Sequence, residues 1–565
     1  MIFEALGLLA LAYLVWSLVT LEINYRRASS MGIPLVRLYI DPLNVLWMVF
    51  EPILWPWLYK LPINWRNYSF GRYSRRGWYF ADRGESHQRY GPMWALVTPR
   101  DIYINVADPD AIHDIFQRRT DFIRPSQLYK VLEVYGPCIS TASWNDWPRH
   151  RKVLATPFNE SAMSFVWEES VEQTRQMLQV WDSSVDGHIP SVAKDPRTLS
   201  LNVLAATGFR KSFPFQSAKD HEVKSEEDEP EGYRDALQTV LDNCILLMVM
   251  PRKLLTLPFA PESWHNLGKA ATAFKEYMVQ MLDEETKALN TGRAGSGGLM
   301  TSFVRAMDLE QKVDGEQKAN TSGSPPKGLT VDEIFGNIFV INFAGHDTTA
   351  NTLSFGLLLL AAYPEIQDWV AKELQGLDEE NIKGHYNDLF PRLLRCRAVL
   401  LETLRLFPPI VSLPKWTNDN PQLLKLGDRE IMIPPHVGVH PSLLDMHIHP
   451  QYWEDPLTWK PSRWINKSAA SSDVSEKIIT PSRSTYFPWS DGPQNCPGNK
   501  FSQVEFVAVM AALLRSHRVH PVTNPGESPE ETRARVLATT QDVDLQLLLR
   551  MTDADQVRLA CRRVA

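Results

Sequence analysis

The 565-residue chain predicts a mainly α-helical fold with small β-sheets, preceded by an N-terminal transmembrane helix. Three observations predict it. Apolar residues recur at helical spacing over long stretches, most clearly in residues 331–362. Strand-like runs are few and short. Residues 5–21 (ALGLLALAYLVWSLVTL) carry no charge.

That first stretch, with Ile2 and Phe3 before it, approaches the roughly 20 residues that span a bilayer core. Arg26 and Arg27 follow it and only Glu4 precedes it, so the positive-inside rule puts the bulk of the chain in the cytosol. A cleaved signal peptide fits less well, because no positive charge precedes the apolar run. Residues 45–59 hold Trp47, Trp55, Trp57 and Tyr59 but are broken by Glu51, Pro52 and Pro56. They read as a segment lying at a membrane interface. A core segment of the soluble part is an equal alternative. The expected organisation is an anchor over 1–25, an interfacial linker over 26–64 and one catalytic domain over 65–565.

Within that domain, Thr330 and Glu333 have the spacing of a capping box opening the 331–362 helix, and Pro364 ends it. Further helices are expected at 391–406 and 500–515, and strands at 95–97, 102–106, 430–433 and 542–549. Residues 217–231 are acidic and residues 311–328 are rich in Gly, Ser, Pro and Lys, so both read as solvated insertions. The net charge of −7 argues against a nucleic-acid partner. Five scattered cysteines (138, 244, 396, 496 and 561) exclude a disulfide scaffold and a structural zinc site. Asn67, Asn159, Asn320 and Asn466 begin glycosylation sequons that would stay bare in the cytosol.

Four motifs carry chemistry. Residues 487–506 (FPWSDGPQNCPGNKFSQVEF) set Cys496 between glycines just before a helix, where backbone N–H groups favour a thiolate. Alone, such a cysteine is more often an inert buried thiol. Residues 344–349 (AGHDTT) put an acid and two hydroxyls inside an apolar helix, a poor choice for stability unless they cap a bend. Glu402 and Arg405 could be an exposed pair worth a few tenths of a kcal/mol, but the leucines around them favour burial with Arg463 as third partner. Trp147 and Arg151 share a helix face, which by itself fits a basic surface helix.

Together, and in this order, the motifs resemble the cytochrome P450 family over roughly residues 65 to 550. The loop pattern of that family is FxxGxRxCxG. Gly492, Cys496 and Gly498 match it, while Trp489 stands for the usual Phe and Gln494 for the usual Arg or His. The resemblance implies the P450 fold and a haem (heme, iron protoporphyrin) with Cys496 as its axial ligand. Trp147, Arg151 and Lys415 would reach its propionates, and Gly345 would open the helix groove beside the iron. Asp347 and Thr348 would relay protons during dioxygen activation, and Glu402, Arg405 and Arg463 would form a structural triad. Because Gln494 supplies no charge, propionate neutralisation must lean on other residues.

The implied activity is insertion of one oxygen atom into a lipophilic small molecule, with substrate contacts from 122–136, 241–257, 339–343 and 410–413. Electrons would come from an NADPH-cytochrome P450 reductase docking on Arg149, Lys152 and Lys500. The chain also resembles fungal members of secondary metabolism, and a single-pass protein of the endoplasmic reticulum in contact with membrane lipid. Two alternatives remain open: a haem-thiolate isomerase or dehydratase needing no dioxygen, and a non-catalytic haem-binding protein. The intact Asp347–Thr348 pair weighs against the first, and Gln494 alone supports the second.

Overall fold

The structure, a computed structural model, describes residues 2–210, 212–217, 232–258, 260–293, 295–307, 328–468, 475–545 and 547–564. The two expected insertions and Asn320 lie almost wholly outside these residues.

Helix α1 (Ile2–Ser29) leads into strand β1 (Leu35–Arg37) and helix α2 (Val45–Leu58). The transmembrane reading of the N-terminus is corrected: no helix among the described residues is long and apolar enough to cross a membrane. The charge-free stretch falls short of roughly 20 residues, and the last turns of α1, with Glu22, Asn24, Arg26 and Arg27, belong to the domain. Leu21 and Ala28 are buried in the core beside the main sheet. Asn24 donates to the carbonyls of Thr98 and Pro99 at 3.0 and 3.3 Å, and Arg27 donates to Pro435 O. Helix α2 divides the two readings of residues 45–59. Trp47 and Trp55 are buried and pack on Phe70, and buried Glu51 faces Arg75 and Arg76. Leu46, Val49, Phe50, Ile53 and Trp57 point outward, more than half exposed.

The main sheet is built from β1, β2 (Met93–Val97), β3 (Ile102–Val106), β4 (Phe122–Ile123), β5 (Lys415–Thr417) and β8 (Gly438–Pro441), in the order β1-β2-β3-β8-β5-β4. Strands β6 (Gln422–Leu426) and β7 (Arg429–Ile433) form a separate hairpin. β1 pairs parallel to β2, so the chain enters the sheet directly after α1. Residues 542–549 are not one strand. Val543–Leu545 and Leu549–Met551 are two strands paired antiparallel.

The helices that bear on the site are α3 (Pro109–Gln117), α4 (Trp147–Ala155), α5 (Glu160–Ser183), α6 (Lys194–Phe209), α7 (Val331–Ala362), α8 (Leu394–Leu406) and α9 (Asn499–Ser516). α7 is apolar nearly all round and correspondingly buried, with α6, α8 and α9 packed against it. Its capping box forms as expected: Glu333 N–H donates to Thr330 Oγ1 and Thr330 N–H to Glu333 Oε2. α8 starts three residues later than expected, because Pro391 lies in the turn before it.

The Glu402 carboxylate is wholly buried and accepts five hydrogen bonds. Oε1 takes Arg405 Nη2 at 2.9 Å, Arg463 Nε at 2.9 Å and Lys460 N–H at 2.8 Å. Oε2 takes Arg405 Nε and Trp464 Nε1, each at 2.9 Å. Removing one member of a buried ion set leaves the others uncompensated. Glu402→Ala is therefore expected to lose about 3–5 kcal/mol of stability and Glu402→Gln less, read as a shift of the urea midpoint at unchanged slope.

Candidate active site

One cavity of about 400 Å³ lies between α7, the loop before α9, α4 and β5. Cys496, Trp147, Arg151, Lys415, Trp489, Gln494, Gly498 and Thr348 all line it. These motif residues, separated by up to 351 positions in the chain, thus surround one space. Among the predicted substrate segments, Tyr129, Val340, Phe343, Ile410 and Leu413 line it as well. No residue of 241–257 does. Leu241, Leu247 and Leu255 are buried instead in the apolar core behind Ile139, Trp147 and Val340 of the cavity lining.

The sulfur loop is shaped by backbone demands. Gly492 adopts φ +67°, and a Cβ there would lie 2.6 Å from Phe116 O, so only glycine fits beside the end of α3. Cys496 N–H donates to Trp489 O at 2.8 Å, which closes the loop. Gly498 is the N-cap of α9. Cys496 lies deep in the protein and is exposed only towards the cavity. Burial pushes its thiol up from the ordinary value, while the Gly498 N–H and Arg151 pull the other way. A metal at the sulfur would act in the same direction as these two and outweigh burial.

Three cations converge on the cavity without a carboxylate partner among the described residues. Arg151 donates to Asn495 O at 3.1 Å and Asn495 Oδ1 at 2.6 Å. Lys415 Nζ donates to Gln494 Oε1 at 2.6 Å. Arg124, which the sequence reading missed, donates to Ile139 O at 3.3 Å. Burial lowers all three, and Arg124 further lowers Lys415, to about 7. Clustered buried cations without an internal anion are costly. A pair of carboxylates entering the cavity would relieve them, and haem propionates are such a pair. The residues present therefore fit the cofactor, with Arg124 supplying the charge that Gln494 lacks. Nothing around Arg124 in the sequence marks it, because its role arises only when 122–124 is folded beside β5.

The α7 motif is divided. Thr348 lines the cavity, and its Oγ1 donates to Ala344 O at 2.9 Å. Asp347 is buried and is not on that wall. Its Oδ1 accepts Arg197 Nε at 2.8 Å and Nη2 at 2.6 Å, with His346 Nε2 at 3.3 Å. Burial would raise Asp347, but His346 and Arg197 outweigh it and bring the carboxyl below its usual range. Gly345 serves packing as well as access: a Cβ there would meet Leu204 of α6 at 2.9 Å.

The expected docking cations change. Arg149 is turned inward, donating to Glu333 at 2.6 and 2.8 Å and pairing with Asp146 at 2.7 Å. Asp146, His150 and Glu333 are, among the described residues, the one His/Cys/Asp/Glu group close enough to share an ion. Arg149 already supplies the positive charge there. Lys500 pairs with Glu160 at 2.5 Å, and Lys152 remains exposed.

The comparisons agree with this geometry. The family model described as Cytochrome P450 matches residues 61–547. A cytochrome P450 monooxygenase of Arthrobotrys oligospora is 28% identical, covering 99% of this chain and 98% of its own. A Leptosphaeria maculans monooxygenase of the phomenoic acid biosynthesis cluster is 25% identical, over 91% and 92%. The crystal structure of the cytochrome P450DA heme domain superposes with a TM-score of 0.64 at 17% identity, over 87% of this chain and 94% of that one. Its low identity speaks for the fold alone. The chain belongs to the cytochrome P450 family of haem-thiolate monooxygenases.

Proposed function

We propose that Cys496 is the sulfur ligand of the haem and that the enzyme inserts one atom of dioxygen into a lipophilic intermediate of fungal secondary metabolism. The observation that carries this reading is the single cavity lined by Cys496, Thr348 and three cations that have no carboxylate partner among the described residues. Its distal lining by Val340, Phe343, Ile410 and Leu413 supports an apolar substrate. The Leptosphaeria relative's biosynthetic cluster supports a secondary-metabolite role.

Once bound, the haem supplies the oxidation chemistry, helped by electron donation from the thiolate. The chain's own part is positional. Arg124, Arg151 and Lys415 hold the propionates, Gln494 orients Lys415, and the Gly498 N–H steadies the sulfur. Thr348 Oγ1 passes a proton into the cavity. Asp347, a carboxylate while it holds Arg197, resupplies it by leaving that guanidinium, taking a proton from water beside the Arg197 side chain, about one-third exposed, and handing it on to Thr348. Electrons come from an NADPH-dependent flavoprotein reductase, with Lys152 as a free docking cation.

We further propose that the protein works at the cytosolic face of the endoplasmic reticulum, held to lipid by apolar side chains rather than by a span. Leu11, Leu14, Trp16 and Val19 of α1 and Leu46, Phe50, Ile53 and Trp57 of α2 are more than half exposed. A surface this apolar fits an interface better than bulk water.

Three outcomes test these readings. Cys496→Ser is expected to abolish the thiolate-type absorption of the reduced carbon monoxide complex and all turnover; a retained band with turnover would discard Cys496. The parent's advantage in haem affinity over Lys415→Met should shrink as pH rises above about 7, where Lys415 loses its proton in the apoprotein. The propionates favour its charged form, so binding above that pH takes up a proton at Lys415, and the advantage falls by at most about tenfold per pH unit. The proton that Cys496 releases on ligation is common to both proteins and cancels in the ratio. Parallel haem titrations of the two from pH 6 to 9 measure it. Finally, replacing Phe50, Ile53 and Trp57 together with Ser should reduce flotation with phosphatidylcholine vesicles while the reduced carbon monoxide spectrum stays intact.

A further inference from the structure

Trp489 differs from the usual phenylalanine by one polar group, an indole N–H beside the sulfur loop. A donor at that place matters. A hydrogen bond accepted by a thiolate withdraws charge that would otherwise reach the metal, and such bonds are among the levers on iron potentials. Trp489 and Cys496 are joined by the 2.8 Å bond between Cys496 N–H and Trp489 O, and both line the cavity.

The indole N–H nevertheless donates elsewhere, to Ser502 Oγ at 2.9 Å. That hydroxyl spends its own proton on Asn499 O at 3.0 Å, so it remains an acceptor towards the indole. The sulfur faces the Gly498 N–H at the start of α9. Ser502 lies one turn further on, its N–H bonded to Gly498 O at 2.9 Å. The sulfur and the Ser502 hydroxyl thus flank the first turn of α9, one at its N-cap and the other a turn further on. An unpaired buried N–H is costly, so the indole takes whichever acceptor is present.

We propose that Ser502 is a positioning residue that holds the Trp489 N–H off the Cys496 sulfur, leaving the thiolate hydrogen-bonded by backbone alone and fully donating. This rests on Cys496 being the iron ligand. Asn499 O fixes the hydroxyl rotor, which keeps its lone pair aimed at the indole. The Trp for Phe exchange is then compatible with a strongly donating sulfur because position 502 carries a hydroxyl.

The test uses the full-length holoenzyme, reading the iron reduction potential and the absorption of the reduced carbon monoxide complex. Ser502→Ala should raise the potential and move the carbonyl band to shorter wavelength, as the released N–H turns to the sulfur. Ser502→Thr, which keeps the hydroxyl, should match the parent, and Trp489→Phe combined with Ser502→Ala should return to it. Trp489→Phe alone should leave both readouts unchanged, because the N–H does not touch the sulfur in the parent. A lowered potential in Trp489→Phe overturns the proposal, as does an unshifted Ser502→Ala. If Ser502→Ala fails to retain haem, the Trp489→Phe potential decides alone. A parent lacking the thiolate band overturns the ligand assignment as well, whereas a thiolate-type parent with an unshifted Ser502→Ala overturns only the role of Ser502.

Discussion

The buried Glu402 carboxylate fixes more than its own helix. Arg405, held by it, donates to the carbonyls of His447, Pro456 and Thr458 at 2.9, 2.6 and 3.1 Å. Burial keeps His447 neutral, lowering it to about 3, so its Nε2 is free to accept Phe487 N–H at 2.9 Å. Phe487 begins the sulfur loop. Tyr486, one residue earlier, donates to Leu401 O on α8 at 2.9 Å. A line of hydrogen bonds therefore runs from a carboxylate on α8 to the loop that presents Cys496. Ion sets of this kind add little net stability compared with apolar packing. Their value here is geometric: five donors around one carboxylate admit a single arrangement of α8, residues 458–464 and the loop after them.

The polar cradle of the cavity shows a second division of labour. Gln494 cannot pair with an anion, but as an acceptor it anchors Lys415, whose ammonium has only donors to offer. Asn495 does the same for Arg151. Two amides from the sulfur loop thereby aim two cations that come from α4 and β5. The charge lost at 494 is replaced by Arg124, the residue after the strand paired antiparallel to β5.

Much of this was legible in the sequence because it depends on local spacing. The capping box at Thr330, the bounds of α7, strand β3 and the grouping of Cys496 with Arg151, Lys415 and Thr348 follow from motif order. What was not legible depends on contacts between distant segments. Arg124 and Arg197 stand in unremarkable surroundings and take meaning from β5 and α7. Arg149 reads as a surface cation until Glu333, 184 positions away, turns it inward. The N-terminal helix reads as a span because hydropathy sees residues 5–21 but not the bonds from Asn24 and Arg27 that tie its end to the domain. The strand expected over 542–549 fails because alternation cannot show a reversal between Leu545 and Leu549.

These contacts make folding and cofactor retention one problem. Arg124, Arg151 and Lys415 are held near one another by the pairing of residues 122–123 with β5 and by the amides at 494 and 495, so their mutual repulsion is built into the folded chain. Any ligand that binds only this arrangement stabilises it by mass action. A dianionic ligand does so most strongly, because it also removes the repulsion. The same argument explains why the amides at 494 and 495 come from the sulfur loop. A loop that orients the cations while presenting the sulfur couples both ends of the cofactor to one backbone segment. Displacement of that segment would move the sulfur and the oriented cations together, and the line from Glu402 through His447 to Phe487 opposes that displacement.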